Sequence, residues 1–158
     1  MKGICLRYAA SEEEAEDVLQ ESFIKVFRAL DRYTDTGPLG GWIRVITVNT
    51  AIECYRRQQT RDRHYDAYEV FMGEDTDNEI LATINLDYLL SKMRELPDGY
   101  RMVFNLYAIE GYNHREIGEL LNISEGTSKS QFSRARRQIR EMVEADAEFE
   151  QKRMNHAR

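Results

Sequence analysis

The feature that most restricts the fold is a helical repeat of apolar residues that continues along most of the chain. Between Ser11 and Tyr33, apolar side chains recur every three or four residues and so share one face of a helix. Ser11 followed by Glu14 is a capping-box pattern, which predicts where this helix begins. No segment has a convincing strand pattern. The sequence therefore predicts an all-α fold.

Glycine, proline and capping residues divide the rest of the chain. The stretch 34–41 contains Gly37-Pro38 and Gly40-Gly41 and predicts a break. A second helix is expected from Trp42 to about Gln59. The residues expected towards its buried side are Trp42, Val45, Ile46, Asn49, Ile52 and Cys54 or Tyr55. Shorter helices are expected over 84–96, 100–109 and 113–121, and a last helix is expected from the Ser124 cap to about Ala145.

Charge is distributed unevenly along a chain whose net charge is −6. Residues 36–65 carry five basic and two acidic side chains, and residues 101–140 carry seven and four. Between them, residues 66–100 carry two basic and nine acidic side chains. This alternation predicts two surfaces for a polyanion. The polar, acidic composition also predicts a flexible linker over 62–83, between helical domains at 1–61 and 84–145, with a charged tail over 146–158.

Several classes of protein are disfavoured by what the sequence lacks. No apolar run approaches the roughly 20 residues of a membrane-spanning helix. Cys5 and Cys54 lie far apart in helical patterns and are expected to be reduced core thiols, as in the cytosol. Metal-ligand spacings and a nucleophile–base pair are not recognisable, so neither a metal site nor an enzyme is expected.

Residues 113–139 have the pattern of a helix–turn–helix, in which a capped second helix enters the major groove of DNA. From Gly126 to Arg140 the chain has one lysine, four arginines and no acid, which avoids repulsion from phosphate. Phe132, Ala135 and Ile139 are expected to anchor this helix. The side chains expected to face DNA are Thr127, Lys129, Ser130, Gln131, Arg134, Arg136 and Arg137.

Four blocks follow one another along the chain: Ala15–Tyr33, Gly41–Arg57, Leu96–Ser124 and Glu125–Ile139. In this order they resemble the extracytoplasmic-function (ECF) class of bacterial sigma factors, the promoter-recognition subunits of RNA polymerase. The resemblance implies two small helical domains, sigma region 2 (1–61) and sigma region 4 (84–145). It also implies a further helix before Met1. Ser128 departs from the family pattern, which has an apolar β-branched residue there.

The resemblance implies a role for each region. Region 4 would read the minus-thirty-five promoter element through the helix that follows Ser124. Region 2 would bind core RNA polymerase through Asp17, Gln20, Glu21 and Phe27. It would also capture a flipped base of the minus-ten element through Tyr33, the loop 34–40 and Asn49, while Arg56 and Arg57 would contact phosphates. Core polymerase, promoter DNA and an anti-sigma factor are the implied partners. No cofactor is implied.

Alternative functions remain open from the residues alone. An autonomous regulator would use only the helix–turn–helix and would not need Asp17, Gln20 or Phe27. A helical adaptor that does not touch DNA would not need Lys129, Arg134 or Arg136.

Overall fold

The computed structural model describes residues 1–34, 37–61 and 85–156, and its regular elements there are helical, which confirms the all-α prediction. The elements are α1 (Lys2–Tyr8), α2 (Glu12–Ala29), a 3₁₀ turn (Leu30–Arg32), α3 (Leu39–Arg61), α4 (Leu86–Arg94), α5 (Asp98–Phe104), a π-helical turn (Asn105–Ile109), α6 (His114–Leu121) and α7 (Glu125–His156). The predicted linker 62–83 and residues 35–36 of the loop before α3 lie outside the described residues.

Helix α2 begins where the capping pattern predicts. The Ser11 hydroxyl accepts a hydrogen bond from the Glu14 amide at 3.1 Å, and the Glu14 carboxylate accepts one from the Ala10 amide at 2.8 Å. Two of the otherwise unpaired amides at the helix start are thereby satisfied. The buried face of α2, including Ala15 and Val18, packs against α3 in the core of the first half of the chain, by which we mean residues 1–61.

Helix α3 begins at Leu39, three residues before the predicted start. The carbonyl of Pro38 accepts hydrogen bonds from the amides of Gly41 and Trp42, so Gly40 and Gly41 of the expected break lie in the first turn. Ile52 and Tyr55 are buried as predicted, but the buried face differs from the prediction at two positions. Val45 is 58% exposed and Asn49 is exposed, because α2 packs on the neighbouring stripe, which is formed by Val48, Ala51, Ile52 and Tyr55.

The second half of the chain, by which we mean residues 85–156, is built around α7. Ala135 and Ile139 of α7 are fully buried, and Phe132 stacks on Phe104 of α5 with ring centroids 5.7 Å apart. These three anchors confirm the predicted inner face of the last helix. Helix α7 continues to His156, well past the predicted end near Ala145, because no glycine or proline follows Gly126 and helix-forming residues fill the tail.

The two halves meet where α1 ends against α5. Cys5 and Tyr8 belong to one apolar cluster with Met102, Val103 and Leu106. Two polar side chains reach across this contact. Arg101 donates from Nε to the Tyr8 carbonyl at 3.1 Å, and Asn105 donates to the Arg7 carbonyl at 2.8 Å. The second half therefore satisfies the last carbonyls of α1, which have no partner inside their own helix.

Both cysteines are free thiols, as predicted, and burial raises the pKa of each. Among the helices that the structure describes, none is long and apolar enough to cross a membrane.

Arg101 is 2% exposed and also donates to the Leu96 carbonyl at 2.8 Å. Replacing Arg101 by Met keeps most of the volume but leaves these buried carbonyls without donors. We expect the free energy of unfolding to fall by about 2–4 kcal/mol, measured by urea denaturation. Arg137→Met, at an exposed position, is the matched control and should change it by less than about 0.5 kcal/mol. Equal effects of the two changes would contradict the structural role of Arg101.

Candidate nucleic-acid interface

The helix–turn–helix starts with a complete capping box. The Glu116 amide donates to the Asn113 side chain at 2.9 Å, and the Asn113 amide donates to the Glu116 carboxylate at 2.8 Å. Helix α6 ends at Asn122, whose φ of 57° lies in the left-handed region. Ser124 then caps α7 by accepting from the Thr127 amide at 2.9 Å. Asn113 and Ser124 lie where the sequence predicts the two helices to begin.

Gly118 permits the tight approach of α7 to α6. A Cβ atom at Gly118 would lie 2.8 Å from the backbone carbonyl oxygen of Ile123, a distance that side-chain carbons do not tolerate. The backbone of the turn, rather than a movable side chain, occupies this space. The angle between the two helices therefore depends on glycine at this position.

The predicted DNA-facing residues of α7 fall into two groups. Lys129 and Arg137 are exposed, and Thr127 and Arg134 are half-buried. Lys129 forms an ion pair with Glu125 at 2.7 Å, one turn earlier in the same helix.

The second group, Ser130, Gln131 and Arg136, is only 6%, 4% and 8% exposed, so the structure does not present these three side chains to a ligand as predicted. The sequence pattern of a single helix does not include the surfaces that cover it. A Cβ atom at Gly99 would lie 3.3 Å from the Gln131 amide, so the Gln131 side chain lies against the backbone of α5. The guanidinium of Arg136 lies 5.9 Å from the centre of the Phe132 ring.

His114 is a residue of this motif that the sequence analysis missed. Its Nδ1 atom lies 2.9 Å from the hydroxyl oxygen of Ser128, and its ring stacks on Tyr107 with centroids 4.3 Å apart. Ser128 is completely buried, so His114 supplies its polar partner. Ser128 itself was the available signal, because a polar residue at a position expected to be apolar needs a partner.

The predicted minus-ten residues lie along α3 and the loop before it. The Tyr33 hydroxyl donates to the Gly37 carbonyl, and the Tyr33 ring lies 5.3 Å from that of Trp42. Asn49 and Arg56 are exposed. Asn49 was predicted on the buried side of its helix, and that placement is wrong. Because the Asn49 amide is exposed, it carries no penalty for burial.

Arg57, which was predicted to bind DNA, forms an ion pair with Glu21, which was predicted to bind polymerase. Its Nη2 and Nη1 atoms contact the two carboxylate oxygens of Glu21 at 2.5 and 3.2 Å. The bond from Arg57 is the main cause that lowers the pKa of the Glu21 carboxyl. A residue expected to bind DNA and a residue expected to bind polymerase are therefore paired with each other.

The rest of the predicted polymerase-binding set lies on the exposed side of α2. Asp17 and Gln20 are exposed, and Phe27 is 71% exposed. Phe27 belongs to a run of incompletely buried apolar side chains, which we call the α2 patch: Phe23, Ile24, Phe27 and Leu30. Phe23, Phe27 and Leu30 belong to the apolar stripe that the sequence predicts for α2, and the structure leaves them exposed. Contiguous exposed apolar groups of this kind mark protein-binding surfaces.

A basic, capped second helix in a helix–turn–helix, joined to a helical unit with an exposed apolar patch, defines a DNA-binding protein that also binds another protein. Two family models match the chain: Sigma-70 region 2 over residues 1–61 and Sigma-70 region 4 over residues 86–139. The chain belongs to the sigma-70 family and, within it, to the ECF sigma factors. It acts as a sigma factor that directs RNA polymerase in transcription initiation, and the autonomous regulator is not favoured.

Curated relatives agree with this family. The chain is 31% identical to the ECF RNA polymerase sigma factor SigE of Mycolicibacterium smegmatis over 145 residues, which are 89% of this chain and 56% of that protein. It is 28% identical to SigW of Bacillus subtilis, over 89% of this chain and 81% of SigW. The chain thus spans just over half of the first relative and most of the second.

A solved structure agrees at the level of the fold. The sigma factor RpoE of Bartonella quintana, in a complex with the anti-sigma factor NepR, matches with a TM-score of 0.53 and 20% sequence identity. The match covers 92% of this chain and 90% of that one.

The role of Gly118 is testable with a second glycine as control. We expect Gly118→Ala to lower the free energy of unfolding by about 1–3 kcal/mol, because the added methyl group forces the turn away from α6. Gly126→Ala adds the same atom where the nearest atom is 3.7 Å away and should be neutral or stabilising. Thermal denaturation followed by circular dichroism measures both. Loss of stability in neither variant, or in both, would contradict the proposed contact.

The His114–Ser128 contact predicts a dependence of stability on pH. Burial, and secondarily the Lys129 ammonium, lower the pKa of His114 below its ordinary 6.5. The unfolded chain then binds the proton more readily, so the stabilising contribution is complete above pH 6.5 and is lost as pH falls through the lower folded-state pKa. We expect the urea midpoint of His114→Gln to fall less than that of the unchanged protein between pH 7 and pH 5. Parallel pH profiles would exclude this effect.

Proposed function

We propose that the first half binds core polymerase through α2, with Phe27 as the main apolar contact and Asp17, Gln20 and Glu21 around it. The observation that carries this proposal is the exposure of the α2 patch. An apolar run at helical spacing is normally buried, yet Phe27 is 71% exposed in a helix that otherwise packs well. A regulator that only binds DNA has no use for this surface.

We further propose that α7 reads the minus-thirty-five element as duplex DNA. Arg134 would contact a base edge, with Thr127, Lys129, Ser130 and Gln131 beside it and Arg136 and Arg137 near phosphates. The acid-free composition of residues 126–140 supports this assignment. Because Ser130, Gln131 and Arg136 are buried in the described structure, their contacts require that the surrounding helices move.

For the minus-ten element, we propose that exposed Asn49 and the Tyr33–Trp42 aromatic pair form the place where an unpaired base is held. An amide both donates and accepts hydrogen bonds, and an aromatic ring stacks on any base. Arg56 would contact the adjacent phosphates. Arg57 would do so after it leaves Glu21, which is then available to polymerase.

The proposed function also implies binding partners and a cellular location for this protein. An anti-sigma factor is the expected inhibitor, by analogy with the Bartonella sigma factor that is bound to one. The protein would work in the cytoplasm with RNA polymerase and would contribute no catalytic group and no cofactor of its own. The proposed units remain residues 1–61 and 84–145, with the linker 62–83 between them and the tail 146–158 after them.

The direct test is transcription in vitro with core polymerase on a library of promoter sequences. We expect transcripts from a subset of templates that share two spaced elements, and no such selection by core polymerase alone. An absence of promoter-dependent RNA from a correctly folded chain would reject the proposed function.

Substitution of Phe27 tests whether α2 in particular, and not any exposed apolar side chain, binds core polymerase. Phe27→Ser should weaken binding to core polymerase by at least about tenfold, which corresponds to about 1.4 kcal/mol. Phe149→Ser removes another exposed phenylalanine, in the tail part of α7, and is the matched control that should bind normally. Affinity for fluorescently labelled core enzyme measures both variants. Equal binding by the two would show that α2 is not the contact surface.

Substitutions at Arg134 and Arg137 distinguish contacts to base edges from contacts to phosphates. Arg134→Ala should weaken promoter-specific initiation by about 1–3 kcal/mol and relax the preference at one base position. Arg137→Ala should weaken initiation on all templates without changing the preferred sequence. Sequencing of the transcripts from the library gives both results. A uniform effect of Arg134→Ala would assign that residue to phosphate instead.

A further inference from the structure

The last part of α7 extends beyond the family match and beyond the proposed DNA surface. The Sigma-70 region 4 match ends at residue 139, whereas α7 continues as a helix to His156. We call residues 141–156 the tail helix. Its side chains Phe149 and Met154 are 62% and 69% exposed, more than any other large apolar side chain of the described residues except Phe27. Exposed apolar groups of this kind indicate a contact surface.

The charges of this segment are separated along its length. Residues 141–150 carry five acidic and no basic side chains, and residues 151–158 carry three basic and no acidic side chains. The helix dipole favours bases near the C-terminal end of a helix, but it gives no reason for five acids in the middle of one. A second copy that runs in the opposite direction brings bases to acids along the whole contact, whereas a parallel copy brings like charges together.

A groove beside the tail helix can receive an apolar side chain of such a second copy. It has a volume of about 530 Å³ and is lined by Tyr88, Val143, Asp146, Ala147 and Phe149. The charged member of this lining, Asp146, is already paired, because it accepts a hydrogen bond from the Tyr88 hydroxyl at 2.7 Å and contacts Lys92 at 2.8 Å. An apolar group that enters the groove therefore leaves no carboxylate unpaired.

We propose that two copies of the free protein associate through their tail helices, which pair in antiparallel orientation about a two-fold axis near residue 150. In this arrangement Met154 of each copy lies at the groove beside Asp146 of the other, and the flexible methionine side chain adapts to it. Glu148 of each copy faces Lys152 of the other. The two-fold axis repeats each contact, so every favourable pair occurs twice.

The pair between Glu148 and Lys152 within one chain does not prevent this exchange. The two charged atoms lie 3.8 Å apart and both side chains are exposed, so the internal pair contributes little stability. No residue of the proposed DNA or polymerase surfaces takes part in the contact between copies. The association therefore concerns the free protein alone and does not rest on the function proposed above.

The first test is sedimentation equilibrium of the full chain, without polymerase or DNA, at concentrations of about 1 to 200 μM. We expect a monomer–dimer equilibrium with a dissociation constant on the order of 10 μM, because the contact is smaller than a standard protein interface. A chain that stays monomeric over this range rejects the proposal. Assembly beyond the dimer also rejects it, since a two-fold contact closes at two copies.

Substitution of each exposed phenylalanine shows which surface is responsible. Phe149→Ser should weaken the association at least about tenfold, because it removes the main apolar group of the tail helix. Phe27→Ser removes the corresponding group of the α2 patch, which is the rival surface, and should leave the dissociation constant unchanged. Equal effects of the two changes, or a larger effect of Phe27→Ser, reject the tail helix as the contact.

Two charge reversals test the antiparallel orientation. Glu148→Lys and Lys152→Glu each create two like-charged pairs across the contact, so each variant alone should associate at least about fivefold more weakly than the unchanged protein. In an equimolar mixture of the two variants, opposite charges meet at both places, and the mixture should associate about as tightly as the unchanged protein.

The mixture separates contacts between chains from contacts within a chain. Each variant still lacks its internal pair between positions 148 and 152, so only a contact between different chains restores association. A mixture that associates as weakly as the separate variants rejects the antiparallel pairing, even where Phe149→Ser weakens the dimer.

Discussion

The arrangement of the chain depends on how α1 ends. Its last carbonyls are directed away from their own helix, and they are satisfied by the Arg101 guanidinium and the Asn105 amide of the other half. These bonds add to the apolar cluster in which Cys5 and Tyr8 meet Met102, Val103 and Leu106. The polar groups fix the orientation of the halves and, unlike the apolar groups, regain hydrogen bonds to water when the contact opens. Such a contact suits a protein whose two regions are proposed to bind separate promoter elements.

The position of α7 depends on equally specific local features. The approach of α7 to α6 needs the space at Gly118 and the left-handed backbone at Asn122. It also needs the His114 side chain, which gives buried Ser128 a polar partner at 2.9 Å. The polar departure from the family pattern at position 128 is thus compensated within the motif, because His114 and the turn that passes Gly118 both hold the start of α7.

Local features of the fold could be predicted from the sequence because they depend on nearby residues. The caps at Ser11, Asn113 and Ser124 and the anchors Ala135 and Ile139 follow from spacing along one helix. The phase of α3 could not be predicted well, because its apolar residues nearly surround it and only the position of α2 decides that Val45 and Asn49 face outward. Likewise, the end of α7 was missed because nothing in its sequence stops a helix.

For the candidate site, the residues that could not be predicted are those covered by, or paired with, other segments of the chain. The pattern of α7 identifies Gln131 as polar and on the outer side of its helix, but its amide lies against Gly99 of α5, which is 32 positions away in sequence. The pairing of Arg57 with Glu21, and of Arg44 with Glu110, likewise joins residues from separate segments. Spacing along one helix carries no information about such contacts.

The most direct test of the account is the distance between the halves with and without core polymerase. Fluorescent labels at two exposed positions, Glu13 in α2 and Glu141 in α7, report this distance by energy transfer. The account predicts one short distance in the free chain and a longer distance in the complex with polymerase and promoter DNA. An unchanged distance in an active complex would contradict it.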